Sequence, residues 1–67
     1  MKISDILSCL ETRTANCLRS LVDNQLSMPI SEFVTKYTWK DFLWIKNSGK
    51  KSLANLRNVL KEKGYNF

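Results

Sequence analysis

The stretch Asn47-Ser48-Gly49-Lys50-Lys51-Ser52 is decisive for the fold, because it is a short polar link between two segments with helical spacing. Asn and Gly are the residues that most readily adopt the left-handed backbone angles that such a link needs. The flanking apolar residues recur three and four positions apart, as on one face of a helix. They are Trp39, Phe42 and Leu43 before the link, and Leu53, Leu56, Val59 and Leu60 after it.

The same stretch predicts a site for a phosphate group. The backbone amides at the start of a helix lack intrahelical partners and lie at the positive end of its dipole. Lys50 and Lys51 add full charges there, and Ser52 adds a hydroxyl donor. The alternative is that Asn47 and Gly49 merely end one helix and begin another. The Lys-Lys-Ser run favours the phosphate interpretation.

Helical spacing elsewhere predicts an all-α fold, a compact bundle of four to five short helices in one domain covering residues 1–67. Apolar residues in the first ten positions fit either one more helical turn or a packed extended arm. A Thr38–Asp41 pair fits a capping box. The first predicted helix runs from Thr12, as N-cap, to about Val22, and a second, short helix starts near Ile30 or Ser31 with Phe33 and Val34 facing inward. The third runs from Thr38 to the turn, and the fourth from Lys50 or Lys51 to Lys63, with Gly64 just past the end.

Charge is distributed unevenly along the chain. The 67 residues carry a net charge of +5. Residues 36–67 hold eight Lys and Arg against two Asp and Glu, whereas residues 1–35 hold three against four. A basic half of this kind indicates an acidic partner such as phosphate, or alternatively a solvated surface.

Composition argues against an enzyme. The chain has 0 His, which removes the commonest general base and the commonest zinc ligand. No catalytic residues, metal ligands, cofactor or small-molecule substrate are predicted. Cys9 and Cys17 are too few for a disulfide framework and are expected to be small packing residues in a reduced, cytoplasmic setting. We also expect no export signal and no membrane span.

Two motifs resemble the C-terminal domain of the bacterial RNA polymerase α subunit. The run from Asn47 to Leu53 resembles its helix-hairpin-helix signature, and Arg13-Thr14-Ala15-Asn16-Cys17-Leu18 is similar to its first-helix motif. The resemblance extends from Leu10 to Phe67. It implies a small all-α domain in the bacterial nucleoid that binds the minor groove of A/T-rich DNA upstream of promoters. It further implies contacts with RNA polymerase and transcription factors.

Site residues follow from this resemblance by position. Arg13 would enter the minor groove, and Asn16 would contact the DNA beside it. The Gly49 amide, Lys51 and Ser52 would hold phosphates, with Lys50 adding charge. Asn55 stands where the family usually has an acidic residue, and the missing charge should ease the approach of phosphate.

Other positions depart from the family pattern. Leu7 and Cys9 replace acidic residues that meet the σ factor, which puts that contact in doubt. Trp44 stands where Lys is common. It is interpreted as an extra contact in the core or at its rim, or alternatively as an exposed anchor for a protein partner. Glu11 is the other candidate partner contact. Without a Pro/Glu-rich segment ahead of Ile3, we expect a free-standing small protein rather than an excised domain.

Three functions remain open on the sequence. The first is an A/T-selective DNA-binding transcription module. The second is a helix-hairpin-helix module that grips the DNA backbone without sequence preference. The third is a protein-interaction adaptor with the same fold that engages RNA polymerase or a transcription factor without DNA.

Overall fold

Short helices account for most of the computed structural model, which describes residues 1–45 and 49–67. The only β-type pairing among these residues is an isolated bridge between Lys2 and Pro29. The predicted all-α class is therefore confirmed. The helices are α1 (Ile3–Ile6), followed by a 3-10 turn (Leu7–Cys9), α2 (Thr12–Leu21), α3 (Ile30–Lys36), α4 (Trp39–Leu43) and α5 (Lys50–Glu62).

The N-terminal segment is a helical turn and not an extended arm. Ile3 and Ile6 are fully buried, as their spacing on one helix face requires. Two backbone hydrogen bonds fix the segment beside the start of α3. The Ile3 N–H donates to the Met28 carbonyl at 3.0 Å, and the Ile30 N–H donates to the Met1 carbonyl at 2.8 Å.

Local signals at the ends of α4 and α5 are confirmed. The Thr38 N–H donates to Asp41 Oδ2 at 2.8 Å, as the predicted capping box requires. At the end of α5, Gly64 has φ +89°, the left-handed conformation that suits glycine. The N–H groups of Gly64 and Tyr65 donate to the carbonyls of Lys61 and Leu60, which completes a Schellman motif.

Two other predictions at helix ends need correction. Thr12 is the first helical residue of α2, and the N-cap is Glu11. At the start of α5, Gly49 is the N-cap with φ −141° and ψ 175°. This is an extended conformation that any residue adopts, so the left-handed backbone expected at Gly49 is wrong. Asn47 and Ser48 lie outside the described residues, and the helix-hairpin-helix motif stays a prediction.

The core forms where α2, α4 and α5 contact one another, with α1 and α3 completing it. Phe33 and Phe42 are the largest fully buried side chains. Phe67 stacks on Phe33 with ring centroids 5.0 Å apart, so the C-terminal segment also packs on the core. The predicted core face of α5 is confirmed. The buried apolar residues are Ile3, Ile6, Leu10, Ala15, Cys17, Leu18, Val22, Met28, Ile30, Phe33, Phe42, Leu53, Leu56, Val59 and Leu60.

Only one of the apolar residues predicted to face inward from α4 is buried. Phe42 is inaccessible, whereas Trp39 is 41% and Leu43 37% exposed. Successive residues are about 100° apart around a helix, so Trp39 and Leu43 lie about 60° and 100° from Phe42. Trp44 lies about 160° from Phe42 and is 86% exposed. The preferred interpretation of Trp44 as a core or rim contact is therefore wrong.

The two cysteines have different environments, although both were expected to be packing residues. Cys17 is buried in α2, as predicted. Cys9 ends the 3-10 turn and is exposed, so the expectation is wrong for this thiol. In the described part of the chain, no helix is long and apolar enough to cross a membrane.

Candidate functional site

One long-range hydrogen bond joins the start of α2 to α5. The N–H of Glu11, the N-cap residue of α2, donates to Asn55 Oδ1 at 3.1 Å. Asn55 lies one turn after Lys51, about 6 Å along the axis of α5. Arg13 follows Glu11 by two residues. The bond therefore holds the beginning of α2, which carries Arg13, against the first two turns of α5, which carry Lys51.

Both of these helix starts are basic, against the preference set by the helix dipole. The first turns of α2 and α5 lie wholly within the described residues and contain no acidic side chain. Arg13 is in the first turn of α2, and Lys50 and Lys51 are in that of α5. A cation at the positive end of a helix is unfavourable by about 0.3–1 kcal/mol at an exposed site. The start of α5 thus concentrates positive charge at a local cost in stability, whereas Arg13 at the start of α2 follows the acidic N-cap residue Glu11.

The backbone at the start of α5 is open to a ligand. A Cβ built on Gly49 would meet no described atom within 4 Å, so this position is not crowded by the fold. The N–H groups of the first turn lack carbonyl partners within the helix. Gly49 has no side chain that could accept from them. Among the described residues, nothing crowds this helix end, where backbone amides and lysine ammonium groups lie together.

The exposed residues predicted to bind DNA lie on these two helices. Arg13, Asn16, Lys50 and Lys51 are exposed, and Gly49 is half-buried. Asn16 Oδ1 accepts a hydrogen bond from the Arg19 guanidinium at 3.2 Å. We call Arg13, Asn16, Gly49, Lys50 and Lys51 the basic surface.

Arg19 adds a cation beside the basic surface that sequence reasoning missed. It follows Asn16 by one turn of α2, and the hydrogen bond between them fixes its guanidinium next to that amide. The i, i+3 spacing from Asn16 was the available signal. Arg19 therefore extends the positive charge of the basic surface along α2.

Ser52 and Asn55 are less accessible than the prediction assumed. Ser52 is only 5% exposed, because it lies on the arc of α5 that also carries the buried Leu56 and Val59. Its hydroxyl therefore has little surface to offer a phosphate. Asn55 is half-buried, and its oxygen is already an acceptor for the Glu11 N–H. Asn55 contributes to the site first by joining the two helices.

The candidate partner contacts are both on the surface. Trp44 is 86% exposed at the end of α4. Trp39 is near it in sequence, with the Lys40 ammonium 5.6 Å from its ring centroid. Glu11 is exposed, although its backbone N–H is bound to Asn55. A tryptophan that is exposed to this degree is a typical contact for a protein partner.

The described residues contain no group of three or more His, Cys, Asp or Glu side chains that could hold a metal ion. Comparison of the chain with protein-family models, with curated proteins and with solved structures gave no match.

Proposed function

We propose that this protein is a DNA-binding transcription module that holds the backbone of A/T-rich duplex DNA and inserts Arg13 into the minor groove. One observation carries the proposal: two basic helix starts are held together by the Glu11–Asn55 hydrogen bond. The module would act in the bacterial cytoplasm, at the nucleoid. RNA polymerase and transcription factors are its proposed protein partners.

The chemistry of the basic surface suits this ligand. A helix start with free amides and lysines binds phosphate oxygens, and such contacts fix the position of a protein on DNA. The minor groove of A/T-rich DNA is narrow and has an enhanced negative potential that attracts arginine. Arg13 lies within one turn of the bond that anchors α2 to α5. It can therefore read the groove while α5 holds the adjacent backbone.

Binding to duplexes of different composition tests the proposal. The affinity for an A/T-rich duplex should exceed that for a G/C duplex of equal length. If the protein as a whole neutralises about 4–6 phosphates, the log–log salt slope should be about −4 to −5. NMR shifts should cluster at residues 12–17 and 49–55. Equal affinity for the two duplexes, or a slope near zero, would contradict minor-groove binding.

Two variants distinguish recognition of the minor groove from sequence-independent binding to the DNA backbone. Arg13→Ala should lower the affinity for the A/T duplex by about 1–3 kcal/mol and reduce the preference over G/C. Lys51→Ala should weaken binding to both duplexes equally and make the salt slope shallower by about 1. Lys36→Ala, on α3, removes the same charge outside the basic surface and is the matched control. If Arg13→Ala behaves like Lys51→Ala, the module is a sequence-independent DNA binder.

The exposure of Trp44 favours a second candidate, an adaptor that binds RNA polymerase or a transcription factor through protein contacts. Under this hypothesis, capture of RNA polymerase survives Arg13→Ala and Lys51→Ala and is lost in Trp44→Ala. DNA binding would be absent in all four proteins, including the unmodified chain. Loss of capture in the two basic-surface variants would count against the adaptor.

A further inference from the structure

A second basic region lies between α5 and the C-terminal segment, apart from the basic surface. It is a cleft of about 280 Å³ that we call the C-terminal cleft. Its polar lining consists of Arg57, Asn58, Lys61, Tyr65 and Asn66. Among the described residues that line it there are two cations and no acidic side chain.

The C-terminal cleft faces away from the contact between α2 and α5. With about 100° between successive residues, Arg57 and Lys61 lie within about 40° of each other around α5. Asn55, which binds the start of α2, lies about 160° from Arg57. Lys51 lies about 120° from Arg57, so a stretch of DNA backbone held between Lys51 and the start of α2 does not also reach Arg57.

The stability of α5 explains only one of the two cations of the cleft, because Lys61 lies in the last turn, where a cation favours the helix dipole, whereas Arg57 does not. Arg57 and Lys61 are four residues apart, where two like charges weaken a helix. Both side chains are exposed. Lys50 belongs to the basic surface and does not line the cleft, but it lies on the same side of α5, about 16 Å from Lys61 along the axis. A row of three cations over this length matches a linear polyanion.

We propose that the C-terminal cleft is a second phosphate-binding site for nucleic acid, which holds a stretch of phosphodiester backbone distinct from the one on the basic surface. This inference depends on the proposed DNA-binding function. Arg, Lys, Asn and Tyr side chains are all donors to phosphate oxygens in protein–DNA complexes, and the cleft offers each of them. An acidic peptide could use the two cations but has less need of the two amides and the phenol.

A double variant that removes both positive charges of the cleft tests the second site. Arg57→Gln/Lys61→Gln should make the salt slope of A/T-duplex binding shallower by about 1.8, since each phosphate contact contributes about 0.9. The ratio of A/T to G/C affinity should stay the same, because Arg13 is untouched. Lys2→Gln/Lys36→Gln removes the same charge from residues that do not line the cleft and should change the slope less. Thermal unfolding of both variants checks that the fold is retained.

The outcomes separate this inference from the proposed function. If the unmodified chain binds neither duplex, both proposals are wrong. If the unmodified chain binds with an A/T preference and the cleft variant has the same salt slope as the Lys2/Lys36 control, only the proposal of a second site is wrong. A cleft variant that loses binding to poly-glutamate but keeps the duplex slope would assign the cleft to an acidic peptide and overturn the inference.

Discussion

The starts of α1, α3 and α4 differ from those of α2 and α5 in the charge of their first turn. Asp5, Glu32 and Asp41 occupy the first turns of α1, α3 and α4, where an acidic side chain favours the helix dipole. The first turns of α2 and α5 carry Arg13, Lys50 and Lys51 in the described structure. The chain therefore uses the stabilising arrangement at three helices and the opposite one at two.

The two unusual starts are also the two that are joined by a hydrogen bond. Glu11 and Asn55 are 44 residues apart in sequence, so their contact is a property of the tertiary fold. Positive charge brought together in this way attracts an anion that satisfies both helix ends at once. The acidic starts therefore contribute to stability, whereas the basic starts contribute a surface for an anionic ligand.

The acidic start of α4 should show the largest effect on stability. Asp41→Ala removes the acceptor for the Thr38 N–H and hydroxyl, at 2.8 and 3.2 Å. We expect the free energy of unfolding to fall by about 0.5–2 kcal/mol, as for the loss of a cap. Chemical denaturation measures this change. Affinity for the A/T duplex, measured where the variant is folded, should be unchanged, and a parallel loss of affinity would mean that the two kinds of start are not separate in function.

The bond between the basic starts should have the next largest effect. Asn55→Ala removes the acceptor for the Glu11 N–H and should lower the free energy of unfolding by about 0.5–1.5 kcal/mol. Asn55→Asp keeps an acceptor, so stability should be retained, but its negative charge should weaken duplex binding. Urea unfolding measures the stability of the two variants, and duplex titration measures their affinity for DNA. Binding by Asn55→Asp that equals or exceeds that of the unmodified chain would contradict the placement of Asn55 beside phosphate.

A buried hydroxyl in α2 offers a stability gain unrelated to charge. Thr14 is fully buried, and its Oγ1 has no hydrogen-bond partner among the described residues. Thr14→Val replaces this hydroxyl with a methyl group of the same shape and the same β-branching. We expect the free energy of unfolding to rise by up to about 1 kcal/mol, because a buried unpaired polar group is removed. Thermal unfolding measures the change, and a marked loss of stability would show that the hydroxyl has a partner in solution.

The smallest effect on stability is expected at Gly49. Its extended backbone accepts a Cβ, and no described atom outside its chain neighbours lies within 4 Å of that position. Alanine is a poorer N-cap than glycine but restricts the unfolded chain, and because these effects oppose each other Gly49→Ala should change the free energy of unfolding by less than about 0.5 kcal/mol. The added methyl group would, however, stand between a phosphate and the amides of α5. Duplex affinity should therefore fall while stability does not. Unchanged affinity would indicate that the ligand does not approach this backbone.

Local sequence signals were sufficient for most of the fold. The apolar periodicity of α5, the Thr38–Asp41 pair and Gly64 each depend on residues within a few positions of one another, and the structure has them as predicted. The buried Ile3 and Ile6 likewise follow from helical spacing. Such features are encoded by neighbouring residues and do not require knowledge of the tertiary fold.

The remaining features depend on contacts that a local pattern does not encode. The Glu11–Asn55 bond spans most of the chain, so the residue pair could not be read from spacing. The burial of Ser52 follows from the orientation of α5 against its neighbours, and the exposure of Trp44 from the single inward position available in the five-residue α4. The exposed cations Arg13, Lys50 and Lys51 were nevertheless predicted from the sequence, whereas Arg19 was not.

Replacing the two lysines at the start of α5 with acids measures stability and duplex binding in the same protein. Lys50→Glu/Lys51→Glu should raise the free energy of unfolding by about 0.6–2 kcal/mol, because it gives α5 the acidic start found in α1, α3 and α4. The same protein should lose measurable binding to the A/T duplex, whereas Lys2→Glu/Lys36→Glu, with the same change in net charge, should retain most of it. A double variant that is less stable than the unmodified chain, or that still binds the duplex with the original salt slope, would contradict the account.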